Sequence, residues 1–137
     1  MSVAKPAGYS GTPLPKKLGI KEGMTVALIG APPAFERTLG PMPAGVALTR
    51  SVRARAALTL WFITRRAAYE GRVRAMTARS EASGLWIIWP KQTSALAGDV
   101  NENVVRNAAL AAGMVDFKVC AVDATWSGLR FSRRKPA

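Results

Sequence analysis

Leu85-Trp86-Ile87-Ile88-Trp89-Pro90-Lys91, followed by the segment 99–113 and by Val115-Asp116-Phe117-Lys118-Val119-Cys120-Ala121-Val122-Asp123, is the stretch that decides the fold. An unbroken apolar run stopped by a proline reads as a strand covered on both faces. Asp99 and Glu102 have the spacing of a capping box, in which one side chain accepts from the free N–H groups of a helix start and the other reaches back. Gly113 supplies the left-handed residue that ends such a helix, and 117–122 reads as the next strand. Strand, helix, strand is the repeating unit of a layered α/β domain. Side chains alternate along a strand, so Trp86 and Trp89 are expected on opposite faces, each beneath a helix.

Upstream, the same grammar recurs in shorter pieces. Residues 24–29 form a β-rich run closed by Gly30-Ala31-Pro32-Pro33, 34–39 a short helix, 45–49 a second strand and 57–63 a third. Thr64 is placed to cap a helix over 65–80, in which Tyr69, Val73 and Met76 recur at helical spacing and Glu70 faces Arg74. Downstream, 117–122 and 127–132 are joined by too few residues to cross a sheet, so this pair must be antiparallel. The expected fold is a Rossmann-like three-layer α/β sandwich with a mostly parallel sheet and an antiparallel C-terminal hairpin. Residues 1–23, rich in glycine and proline, are expected to form an arm packed on the domain, with a helical turn near 15–18. Residues 24–132 make the single domain, and 133–137 a flexible basic tail.

Length and charge bound what the chain can do. A domain of 137 residues buries about 70% of the surface its unfolded chain exposes, enough for one core without metals or disulfides. Cys120, the single cysteine, has no partner for an internal bridge, and it sits in an apolar run. Residues 1–6 lack the apolar region of a signal peptide, and no apolar run approaches the ~20 residues that span a bilayer, so a soluble, cytoplasmic protein with no membrane contact is expected. The net charge of +12 points to a polyanionic partner. The basic residues cluster, as at Arg50, Arg53 and Arg55, at Arg72, Arg74 and Arg79, and at Arg130, Arg133, Arg134 and Lys135. Trp61, Trp86 and Trp89 lie in apolar strands rather than among these clusters, so they offer no stacking platform for single strands.

The exclusions are firm. Without histidine there is no Ser-His-Asp or Cys-His catalysis and no imidazole metal ligand, and the eight acids form no paired motif. No metal and no cofactor are expected. Gly30-Ala31-Pro32-Pro33 sits where a Rossmann-type protein carries its glycine-rich phosphate turn, but two prolines remove the N–H donors such a turn uses. The positive candidate is the carboxyl edge of the sheet, where ligands of open α/β folds bind. By that rule Arg50, Arg65, Lys91, Thr93, Ser94 and the turn from Asp123 to Trp126 share one edge and form a cradle for an anion.

Three strings, GYSGTPLPKKLGI at 8–20, WPK at 89–91 and GMVDFKVCAVDATWSGLRF at 113–131, resemble a bacterial family known only as a domain of unknown function. That resemblance implies no activity. The order of elements is similar to a shortened class I methyltransferase sheet, with Gly84-Leu85-Trp86-Ile87-Ile88 matching its fifth strand and a middle strand and two helices missing. In that comparison the glycine motif that holds S-adenosylmethionine is absent, and Arg50 stands near the place of the acid that grips the ribose.

The sequence thus points to a binding module without catalytic apparatus. Its ligand is a phosphate-bearing small molecule at the carboxyl edge or a nucleic-acid backbone across the basic faces. The alternatives are a degenerate methyltransferase and an interaction protein for an acidic partner. The oligomeric state stays open.

Overall fold

The apolar runs at 24–29, 57–63 and 85–90 become strands of one sheet. The computed structural model describes residues 11–134; the remainder of the expected arm, 1–10, and of the expected tail, 135–137, lie outside the described residues. The elements in order are α1 (Leu14–Leu18), β1 (Thr25–Ile29), α2 (Phe35–Leu39), β2 (Ala47–Thr49), β3 (Leu58–Phe62), α3 (Arg66–Arg79), β4 (Leu85–Pro90), α4 (Glu102–Ala111), β5 (Met114–Ala121) and β6 (Trp126–Arg133). The strand order is β2-β1-β3-β4-β6-β5. β1, β2, β3 and β4 run parallel, while β6 is antiparallel to both β4 and β5. The fold is the expected mixed α/β sheet with an antiparallel C-terminal part.

Period-two alternation divides the core between two faces. On one face Leu18, Ile20, Phe35 and Leu39 cover Val26, Leu28, Leu60 and Trp86; on the other Tyr69, Val73, Met76 and Val105 cover Trp61, Ile87, Trp89 and Phe131. Trp86 and Trp89 are buried on opposite faces, as their spacing requires. The described part of the arm is built into the first layer. Pro13 and Pro15 lead into α1, Gly19 ends it in the left-handed region, and the Leu18 carbonyl accepts from the Trp86 indole Nε1 at 2.8 Å. In the second layer, the Tyr69 hydroxyl donates to the Val105 carbonyl at 2.7 Å and ties α3 to α4.

Local details differ from the sequence reading. Asp99 does not cap its own helix: its carboxylate accepts from the Arg66 N–H at the start of α3, at 2.9 Å, and Asn101 caps α4 through the Val104 N–H. Thr64 makes no cap; the position belongs to Arg65, in extended backbone. Glu70 pairs with Arg66 rather than Arg74, which donates instead to the Ala111 carbonyl at the end of α4. A cation there meets the negative end of a helix. β5 begins at Met114, before the expected strand, and a bulge at Phe117 shifts its register against β6. Val115, Phe117 and Val119 are exposed on this edge strand.

The connection from β2 to β3 shapes what remains. Parallel strands are normally joined by a dozen or more residues, usually containing a helix. Here residues 50–57 alone pass over β1 and carry no helix. The α3-side face of β1, with Ala27 and Ile29, is therefore covered by a loop instead of a packed helix. No helix among the described residues is long and apolar enough to cross a membrane.

Candidate functional site

The carboxyl ends of β1 and β2 are bound together by one arginine. β1 leaves the sheet through Gly30, at φ +71°, where a Cβ would stand 2.8 Å from the Phe62 carbonyl oxygen. The prolines that follow direct carbonyls, not N–H groups, toward the end of β2. Arg50, which follows β2, donates from Nη1 to the Ala31 carbonyl at 2.9 Å and from Nη2 to the Pro32 carbonyl at 2.8 Å. Its Nη2 and Nε also reach Glu36 Oε1 and Oε2 at 2.9 and 3.2 Å, a bidentate pair. The Arg50 hydrogen bond holds the Glu36 carboxyl below its ordinary value. Guanidinium and carboxylate are both part-exposed, so solvent screens the pair and its worth lies in positioning the turn.

The other predicted residues fall into two groups. Lys91 lies beside the β5–β6 turn that carries Asp123 and Trp126, its N–H donating to the Thr125 carbonyl at 2.8 Å. Ser94 closes its own turn, donating from N and Oγ to the Lys91 carbonyl at 3.0 and 2.8 Å. Asp123 Oδ1 accepts from the Thr125 and Trp126 N–H groups, both at 2.8 Å, and so fixes the β5–β6 turn. Trp126 is 5% exposed and packs edge-to-face on Phe62 at 5.1 Å, inside the core rather than along a pocket. Thr93 is exposed nearby. Arg65 follows β3, and Arg50 follows β2, three strands from β4 and so about 14 Å away at the usual spacing. The cavity beside Lys91 is lined by Trp89, Gln92, Asn101, Glu102, Asn103 and Ser127, and by none of the other predicted residues.

Much of the positive charge is already engaged. Arg133 donates to the Thr77 and Ser80 carbonyls at the end of α3, and Arg74 and Arg134 to the Ala111 and Leu110 carbonyls at the end of α4. These are the carbonyls that a helix end leaves without partners. Arg130 donates to the Ser83 carbonyl and stacks on Phe117, and burial lowers its pKa. Cys120 is 4% exposed and burial raises its pKa, which disfavours the thiolate. The described residues include no cluster of three or more candidate metal ligands. Glu36 is the participant that sequence reasoning missed. Its partner lies 14 residues away on another element, so no local spacing announces the pair.

No family model and no curated protein matches the chain. Among solved structures it is similar to a SAM-dependent methyltransferase from Aquifex aeolicus, with TM-score 0.56 and 16% identity over 85% of each chain. It is also similar to a ribosomal protein methylase from Lactobacillus delbrueckii subsp. bulgaricus, with TM-score 0.53 and 11% identity over 83% of this chain and 72% of that one. At such identities the likeness concerns backbone alone. The chain has the Rossmann-like α/β fold of these methyltransferases, closed by the antiparallel β4-β6-β5 part.

Proposed function

We propose that this protein is a degenerate class I methyltransferase-like module that binds an anionic ligand and transfers no methyl group. The observation that carries the reading is Arg50. The fold family implies an S-adenosylmethionine site at the ends of β1 and β2, and the residues there do not fit it. The turn carries Ala31, Pro32 and Pro33 in place of a glycine motif. Arg50 replaces an acid after β2 and is held over the turn by carbonyls and by Glu36. A ribose there would meet a cation, and the nearest carboxylate is already paired.

A small anion is favoured over a nucleic-acid backbone. Backbone binding sums over many cations free to reach phosphates, whereas Arg74, Arg130, Arg133 and Arg134 keep their charge but are oriented by carbonyls of the protein. Calorimetric titration with S-adenosylmethionine and S-adenosylhomocysteine tests the reading. No saturable heat is expected from either ligand; micromolar binding of either one would refute it.

A further inference from the structure

We propose that the cleft between the β2–β3 loop and α3 binds a small phosphorylated molecule with an apolar body, of mononucleotide size. The inference deepens the binding reading by naming a ligand class, but its site lies on a different part of the sheet from the Arg50 turn.

The cleft exists because the crossover is short. With no helix over β1, the loop stands off from the sheet and leaves about 340 Å³ between itself and the last turns of α3. That volume lies at the lower end of the range for small-molecule sites. Ala27, Ile29 and Met76 give it an apolar patch within a lining that is mostly polar. Thr59 lines it too, and is the informative residue: it is 8% exposed, and its hydroxyl has no hydrogen-bond partner among the described residues. A hydroxyl with no partner in the protein keeps its hydration only through the cleft, since burying it unpaired would be costly. A hydroxyl that opens into a cleft is available to whatever enters.

The mouth is cationic. Arg53 and Arg55 line it, and neither guanidinium has a hydrogen-bond or ion-pair partner among the described residues. Arg79, in the last turn of α3, donates to the Val52 carbonyl and so ties the loop to the helix while facing the same space. Glu81 is the one carboxylate in the lining, against three arginines. Planar guanidinium forks match phosphate oxygens in pairs. The apolar patch beside one free hydroxyl suits a flat ring, and the arginines suit a phosphate attached to it. Thr59 lies near the start of β3, and Met76 and Arg79 near the end of α3, so the site occupies the sheet face rather than the carboxyl edge that carries Lys91.

The test is calorimetry on the full chain with adenosine monophosphate, adenosine and inorganic phosphate as probes. Saturable one-to-one binding of adenosine monophosphate is expected, with the other two at least roughly tenfold weaker, since each lacks half of the contacts. Arg53→Ala with Arg55→Ala should weaken binding by at least about tenfold, the scale of a lost charge-assisted hydrogen bond. Thr59→Val should weaken it with little change in melting temperature, because it removes a hydroxyl that opens into the cleft and holds no partner in the protein; a threonine that holds the fold together would lower the melting temperature. Lys91→Ala should leave the affinity unchanged. The proposal is overturned by absence of saturable binding up to millimolar probe, by affinity insensitive to the Thr59 and arginine variants, or by phosphate binding as tightly as the nucleotide. Binding of S-adenosylmethionine would refute the non-catalytic reading and leave these outcomes intact.

Discussion

Arg50 and Glu36 are joined by two hydrogen bonds, of 2.9 and 3.2 Å, that link the end of β2 to the start of α2 across the turn that follows β1. The same guanidinium holds the Ala31 and Pro32 carbonyls, so one side chain sets the shape of the turn at the carboxyl end of β1, the edge at which open α/β sheets in general bind ligands.

The pair makes stability depend on pH in a defined sense. The folded-state pKa of Glu36 lies below its ordinary value of 4.5. Such a group stabilises the fold above its unfolded pKa, and that contribution is lost as pH falls through the depressed folded value. Glu36→Gln should therefore be less stable than wild type at pH 7, and the difference should shrink to nothing on acidification. Denaturation midpoints of the two proteins between pH 7 and pH 2 measure this; a difference independent of pH would contradict it.

Leu18 is fully buried, and its carbonyl receives the Trp86 indole, so the arm acts as part of the core. Leu18→Ala should cost about 3 kcal/mol, the scale of a large-to-small change at a buried leucine. Urea denaturation measures it, and a loss below about 1 kcal/mol would mean that the arm is only loosely attached.

Asp99 caps α3 from a distant loop, and Asn101 caps α4. Asp99→Ala should cost about 1 kcal/mol and speed amide exchange in the first turn of α3, at residues 66–69. Asn101→Ala should do the same for α4 instead. Exchange speeded in α4 by the Asp99 variant would restore the capping-box assignment.

What the sequence revealed follows the physics of each element. The runs 57–63 and 85–90 are near-continuously apolar because helices or loops cover both sides, and such runs stand out without structure. The start of β5 was obscured because Val115, Phe117 and Val119 face solvent on an edge and the bulge breaks the alternation. The spacing of Asp99 and Glu102 suits a capping box, but Asn101 competes for the same helix and leaves Asp99 free for α3. Arg50 was recognised as a carboxyl-edge residue, yet its partners were not, since they depend on β2 lying beside β1. Thr59 left a readable signal: it is the sole hydroxyl in the 57–63 run, which a strand buried on both faces does not otherwise require. Nothing in the sequence marks Arg53 and Arg55 as lining a cleft, because that depends on a crossover over β1 that carries no helix.

Whether the turn after β1 accepts a methyl-donor cofactor is read from amide spectra of the labelled protein titrated with S-adenosylmethionine. The resonances of Gly30, Ala31, Phe35, Glu36 and Arg50 are expected to stay in place to millimolar ligand. Saturable shifts confined to those residues would contradict it.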